Sequence, residues 1–198
     1  MNKKAVLLYS GGLDSTTILY QLLKDGYDVH PLLVFYGQKH NVELQFAEKL
    51  LKELNVKDYL VFNIDWSPFR GEVQPGNMSA VHPFRNIVLL TAASARAIKI
   101  GAHDVYMGPN KDDQADFPDC RREVFDNFEK VLSDSMEYEI HLQTPIIEMS
   151  KQQIYNRATE LGVPMDKIWY CYKPQWNPKG WYPCGTCHSC ELMAKLKK

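Results

Sequence analysis

The chain has 198 residues, 45% of them hydrophobic, and a formal net charge of −1. This size and composition predict one domain with a real core and at most a small appendage, and the balanced charge gives no sign of bulk binding to nucleic acid. We expect neither a signal peptide nor a membrane span, because the apolar runs are too short, and the odd count of five cysteines argues against a disulfide scaffold and favours the reducing cytoplasm.

The first predicted strand, residues 5–8, breaks into two adjacent glycines, Gly11 and Gly12, before an apolar-periodic helix predicted over 16–23. Glycine permits positive φ and lacks the Cβ that would block the close approach of a ligand. Successive N–H groups can therefore point into one concavity, where the helix N-terminus adds its positive dipole end. We expect an anion there, most plausibly a phosphate, with an ordinary strand–turn–helix corner as the alternative.

The spacing of this loop excludes two common phosphate-binding signatures. A Walker A loop needs a lysine after its glycines, and a Rossmann fingerprint needs three spaced glycines. The pattern Ser-Gly-Gly-x-Asp-Ser at 10–15 resembles instead the pyrophosphate loop of N-type ATP pyrophosphatases. Asp14 would repel phosphate unless it caps the helix or helps to hold Mg²⁺. The residues expected to bind the nucleotide are Tyr9, Ser10, Gly11, Gly12, Leu13, Asp14, Ser15, Thr16, Thr17, Ile18, Leu19 and Tyr36.

Alternating strands and helices follow the glycine loop. Strands predicted over 29–36 and 58–64 flank a helix over 41–54, for which Asn41 is the expected N-cap. This order predicts an α/β fold with a parallel, doubly wound sheet, whose ligands bind at the carboxyl ends of the strands. Tyr36, at such an end, would contact adenine or pack in the core. Residues 66–82 are predicted to form a loop that could move over the site.

The middle of the chain adds a helix over 86–100 that ends at Gly101, a strand over 104–107 and a long polar loop over 108–121. Arg85 stands at the start of the helix, where a cation opposes the helix dipole. An anion is therefore expected nearby, either a ligand or an acid of the chain. The loop offers acids, amides and an aromatic ring that could bind a purine-like heterocycle, with a solvated loop as the alternative.

Arg121 and Arg122 open a further predicted helix that runs to about residue 136 and repeats the dipole conflict of Arg85. A short strand is expected over 140–142. Ser150 and Gln153 form a capping box for a helix that ends at 161–162.

The C-terminal part carries a Cys-x2-Cys-x2-Cys run with a further cysteine upstream. Two-residue gaps allow thiolates to converge on one ion, and four cysteines can complete a closed tetrahedral Zn²⁺ shell. An iron–sulfur cluster is the first alternative, and His188 could replace one thiolate. Cys120 lies outside this group and is expected to be packed rather than reactive. The predicted metal ligands are Cys171, Cys184, Cys187 and Cys190.

Taken together, the motifs resemble those of the 7-cyano-7-deazaguanine synthase family of the queuosine pathway, over nearly the whole chain. Their order and number carry the resemblance, because no single short motif is specific. The motifs are Ser10-Gly11-Gly12-x-Asp14-Ser15-Thr16-Thr17, Tyr36-Gly37-Gln38-x-His40, Arg85-Asn86, Gly108-x-Asn110-x-x-Asp113, Pro118-Asp119-Cys120-Arg121, Leu161-Gly162-Val163-Pro164 and the four cysteines.

The resemblance implies an adenine nucleotide alpha hydrolase-like domain over 1–165 and a zinc-binding, cysteine-rich tail over 166–198. It implies a ligase that uses ATP and Mg²⁺ to join ammonia to 7-carboxy-7-deazaguanine, through an acyl-adenylate and an amide, to give the nitrile. It also implies a structural zinc and a homodimer, while the balanced charge leads us to expect no nucleic-acid partner. Charge on the substrate or transition state would fall to Arg85, Asn110, Asp119 and Arg121.

Two departures from the family pattern lie in the predicted substrate loops. Phe84 stands where the family usually has glycine, and Gln114-Ala115-Asp116-Phe117 replaces a usual Tyr-Ser-Gly-Tyr. These changes leave open an enzyme that stops at the amide. A tRNA-modifying adenylating enzyme would need an RNA-binding surface, which the charge does not show. A zinc-bearing regulatory protein rests on the cysteines alone.

Overall fold

The computed structural model of the protein describes residues 3–37, 42–66, 68 and 84–197. Its helices and strands alternate along most of the chain. In order they are β1 (Lys4–Leu8), α1 (Leu13–Lys24), β2 (Asp28–Phe35), α2 (Val42–Glu53), β3 (Leu60–Asn63), α3 (Arg85–Ile100), β4 (Asp104–Tyr106), α4 (Lys111–Asp116), α5 (Arg122–Met136), β5 (His141–Gln143), α6 (Lys151–Glu160), β6 (Gln175–Asn177), β7 (Gly180–Tyr182) and α7 (His188–Leu196).

The first five strands form one parallel sheet in the order β3-β2-β1-β4-β5, which confirms the predicted fold class. β1 lies at the centre, paired with β2 and β4, and its register places Ala5 beside Val29 and Asp104. Because the chain runs outward from β1 to β3 and then returns to β4, the order of the strands reverses beside β1. In parallel sheets, ligands bind where such a reversal opens a crevice at the carboxyl ends of the strands.

Helices cover both faces of the sheet. Side chains alternate along a strand, so Ala5 and Leu7 of β1 enter one core and Val6 and Leu8 enter the other. The first core is closed by apolar residues of α1, α2, α6 and α7, and the second by those of α3 and α5. The continuous apolar run of β1 is thus explained by burial on two sides.

Two predicted boundaries require correction. α1 begins at Leu13 rather than at residue 16, since Gly12 already has the extended conformation of an N-cap. The stretch 108–121 is not an irregular loop, because it contains α4 and a 3₁₀ turn over Pro118–Cys120. A capping box of Asn110 with Asp113 starts α4, and that local polar signal replaces the apolar periodicity that a six-residue helix cannot display.

Other predictions have mixed outcomes. Gly101 is the left-handed C-cap of α3, and the Ser150–Gln153 capping box starts α6, as expected. The hairpin of β6 and β7 was not predicted. Asn41, residues 38–40 and nearly all of the 66–82 loop lie outside the described residues. Of the described helices, none combines the length and the apolar character needed to cross a membrane. The boundary at 165/166 stays a prediction.

Candidate functional site

The glycine corner lies between β1 and α1, at the carboxyl edge of the sheet. Gly11 has φ +76°, and a Cβ built there would lie 2.8 Å from Cβ of Ala47, so no larger residue fits. Gly12 is the N-cap of α1 and lacks a side chain that could occupy the first turn. The amides of that turn have no acceptor within the helix, which leaves them available to an anion.

Hydroxyl groups brace this corner. The Gly12 N–H donates to Oγ of Ser10 at 3.4 Å, and the hydroxyls of Ser10 and Ser15 lie 3.1 Å apart. Ser10 is exposed, whereas Ser15 is buried beneath it. The sequence therefore places one hydroxyl at the protein surface and the other beneath it, where it holds the loop.

The remaining corner residues build the scaffold rather than the surface of the site. The Tyr9 hydroxyl lies 3.4 Å from that of Thr16, and burial raises the pKa of Tyr9 to about 12. The Thr17 hydroxyl donates to the Leu13 carbonyl at 2.7 Å. Ile18 and Leu19 are core residues, 2% and 0% exposed. That these residues contact a nucleotide stays a prediction. Because their side chains are buried, those side chains can support the loop but cannot form the surface of a binding site.

Asp14 has a partner that the sequence did not suggest. Nζ of Lys151, the first residue of α6, lies 2.5 Å from Oδ2 of Asp14, with about a fifth of each side chain exposed. Oδ1 of Asp14 is buried and has no hydrogen-bond partner within the part of the chain that the structure describes. A lysine in the first turn of a helix opposes the dipole, as an arginine does, and that conflict was the available signal.

Asn110 and Asp113 complete the surroundings of this ion pair. Oδ1 of Asn110 accepts from the amides of Asp112 and Asp113 at 3.0 and 3.2 Å, while its Nδ2 donates to Asp113 and, at 3.4 Å, to Asp14. Burial raises the pKa of Asp113, against the opposing effect of Lys151. Burial lowers the pKa of Lys151, but the carboxylates of Asp14 and Asp113 outweigh it and raise the pKa. Asn110 thus acts as a helix cap that orients two acids.

A second group surrounds Arg85. Its Nη1 donates to the Tyr36 hydroxyl at 3.4 Å, and its guanidinium carbon lies 5.4 Å from the centre of the Tyr36 ring. Nδ2 of the buried Asn86 donates to Sγ of Cys120 at 3.6 Å. Burial, with the charges of Asp119 and Asp113, raises the pKa of the Cys120 thiol to about 12. Cys120 is therefore a packed thiol beside the site, as predicted.

The charge of Asp113 contributes to the raised pKa of Lys151 in the first group and to that of Cys120 in the second, so it links the two groups electrostatically. Arg121 lies at the margin: it is exposed, and its Nε donates to the Gln114 carbonyl at 3.5 Å. Phe84, directly before Arg85, is 75% exposed and has a left-handed φ of 58°. A strained, exposed aromatic residue next to a site is a candidate for ligand contact.

The four cysteines of the tail converge as predicted. Their sulfur atoms all lie within 4.8 Å of one another, and the separations include 3.4 Å between Cys187 and Cys190 and 3.9 Å between Cys184 and Cys190. The backbone amide of Thr186 lowers the pKa of Cys184 to about 6, whereas burial raises that of Cys190 to about 12. Four thiolates so close repel one another, and a cation would allow all four to ionise. His188 is exposed at the start of α7.

The fold and the glycine corner define the class of the protein. A parallel five-stranded sheet with helices on both faces and a glycine corner after its central first strand is the adenine nucleotide alpha hydrolase-like fold. The NH3-dependent NAD synthetase from Campylobacter jejuni has a TM-score of 0.57 at 19% identity, covering 85% of this chain and 68% of that chain. A 4-thiouridine synthetase in complex with RNA and bound ATP has a TM-score of 0.54 at 19% identity, covering 98% of this chain and 50% of that chain.

Within that class, the chain belongs to the queuosine biosynthesis protein QueC family, whose model matches residues 4–196. The chain is 35% identical to the 7-cyano-7-deazaguanine synthase of Rickettsia akari, with 96% of this chain and 92% of that protein aligned. It is also 35% identical to the 7-cyano-7-deazaguanine synthase of Caldicellulosiruptor bescii, with 98% and 93% aligned. The family expected from the motifs is confirmed.

Proposed function

We propose that the protein is an ATP-dependent ligase that converts 7-carboxy-7-deazaguanine and ammonia into 7-cyano-7-deazaguanine. The observation that carries this proposal is the open glycine corner with Lys151 and Asp14 at its mouth, in a chain of this family. The corner offers to a pyrophosphate group the amides of the first turn of α1, which have no acceptor within the helix, and a cation. The cytoplasm, where ATP is available and thiolates stay reduced, is the expected location.

The chemistry requires activation because a carboxylate cannot expel oxide. Attack of a substrate carboxylate oxygen on the α-phosphorus of ATP forms an acyl-adenylate and releases pyrophosphate. Ammonia displaces AMP and gives the amide. The amide oxygen then attacks a second ATP, and loss of that oxygen with AMP, together with two protons from nitrogen, leaves the nitrile. Each activation consumes one ATP, and both proceed at the same corner.

The glycine corner and Lys151 would stabilise the departing pyrophosphate. Such preorganised donors are usually the largest contribution to catalysis, because they are aimed at charge that develops in the transition state. Lys151 would exchange its ion pair with Asp14 for one with the phosphates. Because Asp14 lies in the first turn of α1, beside the glycine corner, the ammonium group would have to move only a short distance.

The same exchange would free Asp14 for a divalent cation. Its Oδ1 is buried without a hydrogen-bond partner among the described residues, which suits a carboxylate that binds Mg²⁺. When bound, Mg²⁺ would neutralise charge on the phosphates. Asn110 would orient Asp14 from behind instead of touching the substrate, a change from the role first expected for it.

The substrate would lie towards the second group. Arg85 has its guanidinium at the carboxyl edge, and Asp119 is half-buried beside Cys120. The cation suits the carboxylate of 7-carboxy-7-deazaguanine, and the acid suits N–H donors of its ring. Arg121 could join them from the margin. A cleft of about 290 Å³, lined by Phe35, Gly37, Asn63, Ile64 and Asp65, opens at the neighbouring strand ends.

For the cysteine cluster we propose a structural zinc ion. A tetrahedral shell with Zn–S bonds of about 2.3 Å places its sulfurs about 3.8 Å apart. The separations of 3.4, 3.9 and 4.0 Å fit that shell. In an iron–sulfur cluster the four thiolates bind two or four different iron atoms, which would spread the sulfurs further apart than around one ion. A homodimer and free ammonia as the nitrogen source are proposals that rest on the family resemblance.

One second candidate follows from Phe84. Where the family usually has glycine, the chain holds an exposed ring in a left-handed conformation, at the residue before Arg85. A ring there could exclude the amide from a second activation. The enzyme would then stop at 7-amido-7-deazaguanine.

The test incubates the protein with 7-carboxy-7-deazaguanine, ammonium, ATP and Mg²⁺, and determines product masses. The nitrile with release of AMP is the expected result, and the amide as end product would select the second candidate. Unchanged acid, with no AMP formed, would contradict the ligase proposal. A Lys151→Met variant run in parallel controls for contaminating activities.

A further inference from the structure

The segment that leads into the cysteine cluster contacts the glycine corner directly. The main-chain N–H of Trp169 donates to the Gly11 carbonyl at 3.0 Å. A Cβ built on Gly12 would lie 3.5 Å from the Trp169 carbonyl oxygen, so the backbone of Trp169 also lies against the second glycine. Both peptides of the predicted pyrophosphate loop are therefore in contact with one residue of the tail.

The position of Trp169 depends in turn on the cysteine cluster. Its indole N–H donates to the Cys171 carbonyl at 2.9 Å, and Cys171 is one of the four converging cysteines. The side chain is only 4% exposed and belongs to the same apolar cluster as Cys171, Cys187 and Cys190. Displacement of these cysteines would thus displace Trp169.

Helix α2 holds the opposite side of the corner. The rings of Phe46 and Trp169 have centroids 4.6 Å apart, and the next residue, Ala47, is the one against which Gly11 packs. The Gly11 peptide is consequently held between Ala47 on one side and Trp169 on the other. Glycine provides no side chain to hold the loop itself, so its conformation must be fixed by such neighbours.

We propose that Trp169 is a positioning residue through which the metal-binding module, the cluster of Cys171, Cys184, Cys187 and Cys190, holds the pyrophosphate loop in its binding conformation. The pyrophosphate loop is the glycine corner at residues 10–15. The inference rests on the proposed function of that loop as an ATP site. Its consequence is reciprocal coupling: a loaded module favours ATP binding, and bound ATP favours retention of the metal. A module that served only to close the end of the chain would show neither effect.

The chain offers a matched control for this residue. Trp176 lies in the same tail, on β6, but it is 63% exposed and its strand pairs with β7 in a separate two-stranded sheet. Trp169→Ala removes the ring and the indole donor, whereas Trp169→Phe keeps an aromatic ring beside Phe46 and loses the donor alone. Trp176→Ala changes the same residue type away from the corner.

The experiment measures the dissociation constant of MgATP by calorimetry and the bound metal by elemental analysis for each protein. Trp169→Ala should weaken ATP binding about tenfold, because one misdirected hydrogen bond to a charged phosphate corresponds to about that factor. Trp169→Phe should give a smaller loss, and Trp176→Ala should match the wild type. In the wild type, saturating MgATP should slow release of the metal to the zinc-selective chelator TPEN, and in Trp169→Ala this protection should disappear.

Equal ATP affinity in metal-loaded Trp169 variants, or metal release from the wild type that ATP does not slow, would overturn the inference and leave the proposed function intact. A wild type that binds no ATP would overturn both. The release measurement on the wild type needs no variant, so it decides the matter even if Trp169→Ala fails to fold.

Discussion

Replacing Lys151 by methionine removes the cation that pairs with Asp14 at the mouth of the glycine corner, while it keeps a chain of similar length. The ion pair is 2.5 Å long and about one-fifth exposed on each side. Loss of one partner from a buried pair costs about 3–5 kcal/mol, and partial solvation of Asp14 reduces this to about 1–3 kcal/mol. We expect that loss in the free energy of unfolding at neutral pH.

The pH range of this contribution follows from its sign. The pKa of Lys151 is raised above its ordinary value of 10.5, so the folded state binds the proton more tightly than the unfolded state. The stabilisation is therefore fully present below about pH 10 and is lost at more alkaline pH. Urea denaturation at pH 7 measures the full effect.

Catalysis should suffer more than stability. Removal of one preorganised donor to developing charge typically lowers kcat by about 10²–10³, and we expect this loss in AMP formation. The double variant Asp14→Asn/Lys151→Met is the matched control, because it also removes the unpaired carboxylate. It should recover most of the lost stability but none of the activity. A Lys151→Met enzyme with wild-type stability and turnover would refute the role given to the pair.

Three further predictions concern single residues. Gly11→Ala should lower the free energy of unfolding by about 2–4 kcal/mol, since φ of Gly11 is +76° and the new Cβ would lie 2.8 Å from Cβ of Ala47. Gly26→Ala, at φ +80° but with open space around it, should lower it by only about 1 kcal/mol. Equal losses in the two variants would contradict the packing argument. Glu137→Gly should raise the free energy of unfolding by about 1 kcal/mol, because Glu137 ends α5 at φ 48° and a carboxylate there opposes the helix dipole. An unchanged free energy of unfolding in urea denaturation would refute this. Burial raises the pKa of Asp113 above 3.8, so its contribution to stability falls as the pH rises through its folded pKa. Urea denaturation from pH 4 to 7 should therefore show a fall in the free energy of unfolding of the wild type relative to that of Asp113→Asn. A difference between the two proteins that does not change with pH would count against this.

Local sequence signals predicted most of the sheet and its binding edge. The apolar run of β1 followed by Gly11 and Gly12 indicated a phosphate corner, because a strand, two glycines and a helix have few other physical uses. Alternation of strand and helix then indicated a parallel sheet, which the structure has. The spacing of the cysteines predicted their convergence, since two-residue gaps bring sulfurs together whatever the rest of the fold does.

Long-range contacts were beyond those signals. Lys151 is 137 residues from Asp14 in sequence, so no local pattern relates them, and only the unfavourable place of a lysine at a helix start hinted at a partner. Trp169 meets Gly11 through its main chain, which no side-chain pattern can reveal. Helix α4 escaped because it depends on the Asn110 capping box instead of an apolar stripe.

The exposure of the aromatic rings in the tail and at the residue before Arg85 could not be predicted from the sequence either. Phe84 has a backbone conformation that suits glycine, so its sequence neighbours predicted neither its φ nor its 75% exposure. In the sequence it is recognisable only as a departure from a family pattern. The structure adds that Phe84 is the N-cap of α3 and directly precedes Arg85, the residue proposed to bind the substrate carboxylate.

Transfer of oxygen isotope tests the central claim most directly. When both carboxylate oxygens of 7-carboxy-7-deazaguanine carry ¹⁸O, attack on the α-phosphorus moves one label into AMP at each activation. We predict that AMP carries the label, that pyrophosphate carries none, and that the nitrile product has lost both oxygens. Label in inorganic phosphate, or unlabelled AMP formed together with product, would contradict the account.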